Sequence, residues 1–127
     1  MFNGRNLDLI DDLFNASWTY VGSGGQRLNG REEFKGFLSN YFDAFPDLKV
    51  KVEDIIAEDD KVVTMVSGRG THKGELMGLA PTGKEINTTV ICISQLEKGK
   101  IVKDWELVDL FGMLKQLGAL PEPAPQK

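Results

Sequence analysis

Residues 84–109 read KEINTTVICISQLEKGKIVKDWELVD. Two runs rich in β-branched and apolar residues flank the polar stretch Glu97-Lys98-Gly99-Lys100, which predicts a long antiparallel hairpin. Alternation along the second arm puts Lys100, Val102, Asp104, Glu106 and Val108 on one face. Ile101, Lys103, Trp105, Leu107 and Asp109 fall on the other. Neither face is wholly apolar. A surface strand has no need of the valines, and a solid core does not accept unpaired carboxylates. A face that is part oily and part acidic suits the wall of a pocket.

The segments before the hairpin supply the rest of that pocket. Residues 6–16 predict a short helix with Leu7, Ile10, Leu13 and Phe14 as its stripe and Asn6 as its cap. Trp18, Tyr20 and Val21 follow at strand-like or turn-like spacing. Gly22-Ser23-Gly24-Gly25 reads as a loop. No G-K-S/T follows it, so it does not read as a phosphate cradle. Asn29 with Glu32 has the form of a capping box. Phe34, Phe37, Leu38, Tyr41, Phe42 and Phe45 then recur at helical spacing up to Pro46. These rings suit either packing on a sheet or lining an apolar pocket.

Leu48–Glu58 and Lys61–Thr71 predict two strands joined at Asp59-Asp60. Leu48, Val50, Val52 and Asp54 share one face of the first. Gly68 and Gly70 predict a bulge or bend in the second. Residues 72–84 form a connection that arches over an open end of the sheet. A last helix is expected over 110–118, ended by Gly118. The expected fold is α+β: a strongly curved antiparallel sheet packed against helices, enclosing a cone-shaped space. Residues 1–120 read as one domain and PEPAPQK, 121–127, as a flexible tail.

The 127 residues carry a net charge of -4 with scattered cations, which argues against a nucleic-acid surface. One cysteine and one histidine give no disulfide and weak grounds for a metal site. No run approaches a membrane span, and the first residues do not read as a signal peptide. The Asn15 and Asn87 glycosylation matches therefore mean little, and a cytoplasmic location is expected.

Three stretches, PDLKVKVEDIIAEDDKVV, GTHKGELMGLAPTGK and GKIVKDWELVDLFGMLKQLGAL, resemble the SnoaL-like polyketide cyclases of the NTF2-like superfamily. The likeness runs from about Leu7 to Leu120. It is carried by G-x-x-x-G-x-x-P-T-G at Gly74–Gly83, G-K-I at Gly99–Ile101 and L-x-x-L-G at Leu114–Gly118. The resemblance implies a cone-shaped α+β barrel and a homodimer formed through the sheet face, with one cavity per subunit. It implies an acid/base carboxylate at Glu106, where the cyclases that close a ring by an aldol reaction carry an aspartate. Cys92 and Val90 stand where those cyclases hold a histidine and a glutamine, and Asp109 is an acidic position retained by other members. Members generally have more residues before the first helix, so a more open mouth, or a different covering element, is expected here.

The catalytic candidates are therefore Glu106, Asp104 and Asp109. Asp104 shares its face with Glu106 and is a possible partner in a coupled pair, whereas Asp109 also suits a helix cap. Ligand-binding candidates are Cys92, Val90, His72, Tyr41, Phe37, Trp18 and Tyr20. His72 stays open between a base, an orienting donor and a structural or surface residue. Cys92 sits inside an apolar strand, as small buried hydrophobes do. Trp105 suits the core or a dimer interface. Three functions remain: a cofactor-independent cyclase, isomerase or hydratase acting on a small apolar ketone or ester; a non-catalytic protein binding an apolar small molecule; or a dimeric scaffold with a closed core. Nothing in the sequence calls for a metal, nucleotide or flavin.

Overall fold

The computed structural model describes residues 7–118 apart from Met77. The expected Asn6 cap and the tail fall outside these residues. The chain forms α1 (Leu9–Leu13), β1 (Phe14–Val21), a 3-10 turn (Ser23–Gly25), β2 (Arg27–Asn29) and α2 (Arg31–Ala44). It continues through β3 (Lys49–Glu58), β4 (Lys61–Thr71), β5 (Glu85–Glu97), β6 (Lys100–Val108) and α3 (Leu110–Gln116). The strands make one curved sheet in the order β2-β1-β6-β5-β4-β3. All neighbours are antiparallel except β1 and β6, which run parallel. No helix among the described residues is long and apolar enough to cross a membrane.

The β5–β6 hairpin closes at Lys98 and Gly99, both with positive φ, as a two-residue turn of this twist requires. Strict alternation along β6 nevertheless fails at one point. Gln95 pairs with Lys103 and Leu96 with Ile101, so Val102 is an extra, unpaired residue. This bulge turns Ile101 onto the face that holds Asp104 and Glu106. A second bulge, in β3, has the same effect. Val52 pairs with Val66 and Asp54 with Met65, which takes Asp54 off the expected Val50–Val52 face. No bulge falls at Gly68, which pairs with Val50 and Thr88; at Gly70 the pairing with β5 continues unbroken, while the β3 ladder has ended at Arg69. Gly70 serves close packing instead: a Cβ on it would lie 3.0 Å from Phe45.

The first helix is shorter than its apolar stripe predicts. Phe14 already belongs to β1, where its ring packs against Trp18 and Phe34. The N-terminus of α2 is capped at Gly30, and the backbone N–H of Asn29 donates to Glu33 rather than Glu32. Glu32 pairs with Lys35, which also bridges to Asp11 and so ties α2 to α1.

Packing on the concave side of the sheet occurs in two clusters. One joins Ile10, Phe14, Trp18, Tyr20, Phe34 and Leu38. The other joins Ala44, Phe45, Leu76, Ile86, Met113 and Leu117. The connection after β4 docks on the end of α2, where the backbone N–H groups of Lys73 and Gly74 donate to Ala44 O. Between the clusters the curved sheet stands away from α2, and the space there is open.

Candidate active site

That space is a cavity of about 340 Å³. Its roof is the ring-bearing face of α2: Phe34, Phe37, Leu38 and Tyr41, with Phe45 just beyond. Its floor is the inward row of the sheet, including Val50, Val66, Val90 and Val108. Only one part of the wall is strongly polar. Tyr20, Glu106, Cys92, Asp104 and Ser94 lie there side by side on three adjacent strands. Cys92 is the cross-strand partner of Glu106, and Ser94 that of Asp104.

The two carboxylates have different surroundings. Asp104 is buried and accepts from Trp18 Nε1 at 2.8 Å, from Ser94 Oγ, and from Cys92 Sγ at 3.4 Å. Glu106 accepts from Tyr20 Oη at 2.8 Å on its Oε1 atom. Among the described residues no ion pair reaches it, and none of Lys103, Arg69 and His72 serves as its counter-ion. Lys103 instead lies over the Trp105 ring, 4.5 Å from its centroid.

Burial pushes the Glu106 carboxyl above its usual range; Tyr20 opposes this by hydrogen bonding, and nearby Asp104 adds to it. Burial, and then Glu106, push the Tyr20 and Tyr41 hydroxyls upward. Burial, followed by Asp104, pushes up the Cys92 thiol. At neutral pH both tyrosines are therefore donors, and Cys92 is a thiol, poorly suited to nucleophilic attack.

The structure brings Glu106, Asp104, Tyr20, Tyr41, Phe37, Cys92 and Val90 to this cavity. Trp18 lies behind the wall, fully buried, and reaches the site through Asp104. Asp109 and His72 do not line it. Asp109 is exposed at the N-cap of α3, where it accepts from the Gly112 N–H at 2.9 Å. His72 is buried rather than at the surface. Its Nδ1 accepts from the Thr82 N–H at 3.2 Å, and its ring packs beside Phe45. Ser94 and Phe14 are wall residues that the sequence reading missed. Ser94 was within reach of it, two positions beyond Cys92 on the same face. Phe14 was hidden by its fit to a helical stripe.

A family model described as SnoaL-like polyketide cyclase matches residues 1–117. IdmH of Streptomyces antibioticus, proposed to be a polyketide cyclase, is 32% identical, with a TM-score of 0.80 over 92% of this chain and 90% of that one. AclR of Streptomyces galilaeus, proposed to be a hydroxylase, is 26% identical, with a TM-score of 0.83 over 95% and 79%. A protein from Catenulispora acidiphila with a ketosteroid isomerase-like fold, solved with trimethylamine, is 21% identical; its TM-score of 0.79 covers 98% and 91%. No curated protein sequence matches the chain.

Proposed function

The chain belongs to the SnoaL-like polyketide cyclase family, and from that premise we propose that its cavity takes an apolar carbonyl compound and that Glu106 moves a proton alpha to the carbonyl. The observation that carries this reading is the state of Glu106: half-buried in the cavity wall, bonded to Tyr20, and paired with no cation among the described residues. A carboxylate lifted toward neutrality is a stronger base than a solvated one. With Oε1 held by Tyr20, Oε2 is the atom that takes the proton. Tyr41, protonated and in the roof, and Tyr20, once Glu106 is neutral, are the donors available to the enolate oxygen. The enolate carbon then attacks a second carbonyl of the same molecule, and Glu106 returns its proton to the new alkoxide. Return of the proton to a different carbon would instead give isomerisation.

Deuterium exchange at the alpha carbon of 1-tetralone, followed by NMR, isolates the first step. Glu106→Gln is expected to slow exchange by roughly 10²-fold or more, with the calorimetric affinity for the ketone nearly unchanged. Exchange at the wild-type rate rejects Glu106 as the base.

A second reading, a carrier that binds without turnover, is favoured by Val90 and Cys92. The Val90 side chain makes no hydrogen bonds and the Cys92 thiol only weak ones, unlike the glutamine and histidine of the cyclases the sequence resembles. Tight binding of the ketone with no exchange by the wild-type protein would select it. The cavity lies within the ~300–1,000 Å³ of ligand pockets, so a scaffold with a solid core has little support.

The convex face of the sheet carries Ile56, Met65, Ile91, Ile93 and Leu107, all exposed. An apolar patch of this kind marks an interaction surface. Its occupant in this reading is a second copy, giving a homodimer with the cavities facing away from the interface. The cytoplasm is the proposed location.

A further inference from the structure

We infer that Asp104 is a positioning residue for the proposed base: a charge pinned in the wall beside Glu106, which holds that neighbour ready to accept a proton. This role presupposes Glu106 as the base and assigns the second carboxylate a part that proton transfer alone does not require.

The geometry separates the two groups. Both stand on the concave face of β6, two residues apart, which is about 7 Å along a strand. Asp104 has donors on both oxygens. Trp18 Nε1 meets Oδ2, and Ser94 Oγ and Cys92 Sγ meet Oδ1. The indole N–H can only donate, so Oδ2 is committed to accepting. Trp18 is itself locked, fully buried and stacked on Phe34 with centroids 4.5 Å apart. Asp104 is therefore fixed in the wall by donors on both of its oxygens. It is a good fixed charge, because its position is set by three strands.

The groups facing Glu106 are few. Tyr20 comes from β1, Tyr41 from α2, Cys92 from β5, and Asp104 from its own strand. Tyr20, Tyr41 and Cys92 are neutral at neutral pH. Asp104 is thus the near charge in this set, and its sign disfavours the ionised form of Glu106. Taking a proton at Glu106 relieves the repulsion at the moment the enolate forms.

Asp104→Asn removes the charge and keeps the shape. The new amide oxygen accepts from Trp18, and the new NH₂ donates to Ser94 Oγ and Cys92 Sγ, so the fold should survive. Two readouts need no substrate. In ¹³C-NMR the titration midpoint of the Glu106 carboxyl is expected to move to lower pH. Iodoacetamide alkylation of Cys92, the chain's single cysteine, is expected to speed up roughly threefold or more at pH 9, because a thiol relieved of a negative neighbour ionises more readily. With 1-tetralone, the acid limb of the exchange profile should follow the midpoint down, and the plateau rate should fall by about three- to tenfold as the base weakens. A merely structural part for Asp104 would lower the plateau and leave limb and midpoint in place. That result overturns the inference, as does an unmoved Glu106 midpoint. If Asp104→Asn does not fold, Asp104→Thr, which suits a strand and also lacks the charge, is titrated in its place under the same criteria. The NMR midpoint is independent of turnover. A failure of Glu106→Gln to slow exchange would remove the base assignment while leaving the electrostatic result intact.

Discussion

Tyr20 Oη donates to Glu106 Oε1 at 2.8 Å, joining residues 86 apart in sequence across the parallel β1–β6 pair. This bond sets the sign of the first prediction. It favours the charged form of Glu106 against the larger effect of burial. Tyr20→Phe therefore raises the Glu106 pKa further. The base form is the active one, so the acid limb of the pH–rate profile for ketone exchange moves to higher pH. A hydrogen bond to a charged group contributes about 1.5–3 kcal/mol, so exchange near the limb should drop by roughly tenfold or more. A limb that stays in place or moves down would show that Tyr20 does not stabilise the carboxylate.

The same carboxyl should cost stability. A group whose folded pKa lies above its unfolded value stabilises the fold at pH below the unfolded pKa, and that contribution is lost as pH rises through the folded pKa. Glu106 is such a group, raised mainly by burial. Glu106→Gln, which still accepts from Tyr20, should unfold at higher urea than wild type at pH 8, by on the order of 1 kcal/mol. The difference should shrink toward pH 4. Parallel urea curves at the two pH values test this, and a variant weaker at pH 8 would contradict it.

Asp109 is the clearest separation of stability from activity. Its side chain caps α3 by accepting from the Gly112 N–H, and it stands off the cavity wall. Asp109→Ala should cost about 1 kcal/mol, the usual loss for an N-cap, and leave the exchange rate of the folded protein unchanged. A loss of exchange beyond the unfolded fraction would assign Asp109 to the chemistry after all.

The hairpin, the ring-bearing helix and the inward carboxylates of β6 were legible because each rests on periodicity or a local turn. Lys98-Gly99 and the Phe34–Tyr41 stripe contain their own instructions. What periodicity could not give was the break in it. The bulges at Val102 and Glu53 depend on which residue the neighbouring strand offers, and no single strand records that. Ile101 therefore changed sides unannounced, and so did Asp54. The identity of the Glu106 partner was hidden for a related reason. Tyr20 becomes its neighbour only when β1 joins the sheet in parallel, a pairing between distant segments. His72 shows the same limit from the other side: its sequence neighbours left site and structural roles open, and the Thr82 backbone and Phe45 ring that enclose it are set only by the fold.

Gly74 should be the least replaceable position of the β4–β5 connection. A Cβ there would lie 2.3 Å from Asp43 O and 3.1 Å from Ala44 Cα. Both obstacles are backbone, at the end of α2, and neither can rotate away. The Gly74 N–H also donates to Ala44 O, so moving the loop would break the bond that docks it. Gly74→Ala is expected to cost about 1–3 kcal/mol, as overpacking does, read as a lowered thermal midpoint. Gly83→Ala is the informative contrast. Its φ is +71° but nothing lies within 4 Å of an added Cβ, so strain alone acts there and a loss of about 1 kcal/mol is expected. Equal losses at the two sites would mean that the Asp43 contact is not what constrains Gly74.

Leu107 and Ile91 are cross-strand partners on the convex face, and Leu107 is 69% exposed. Glu106 and Cys92, one residue away on the same strands, point into the cavity. A charge at Leu107 can therefore break an interface without entering the site. Leu107→Lys is expected to shift the protein from dimer to monomer in sedimentation velocity at micromolar concentration, since burying an unpaired ammonium against Ile91, Ile93 and Met65 costs several kcal/mol. Exchange per subunit should persist, because Leu107 faces away from the cavity that Glu106 and Cys92 line. A wild-type protein that sediments as a monomer at the same concentration would remove the dimer from the proposal. A Leu107→Lys dimer would move the interface to another surface.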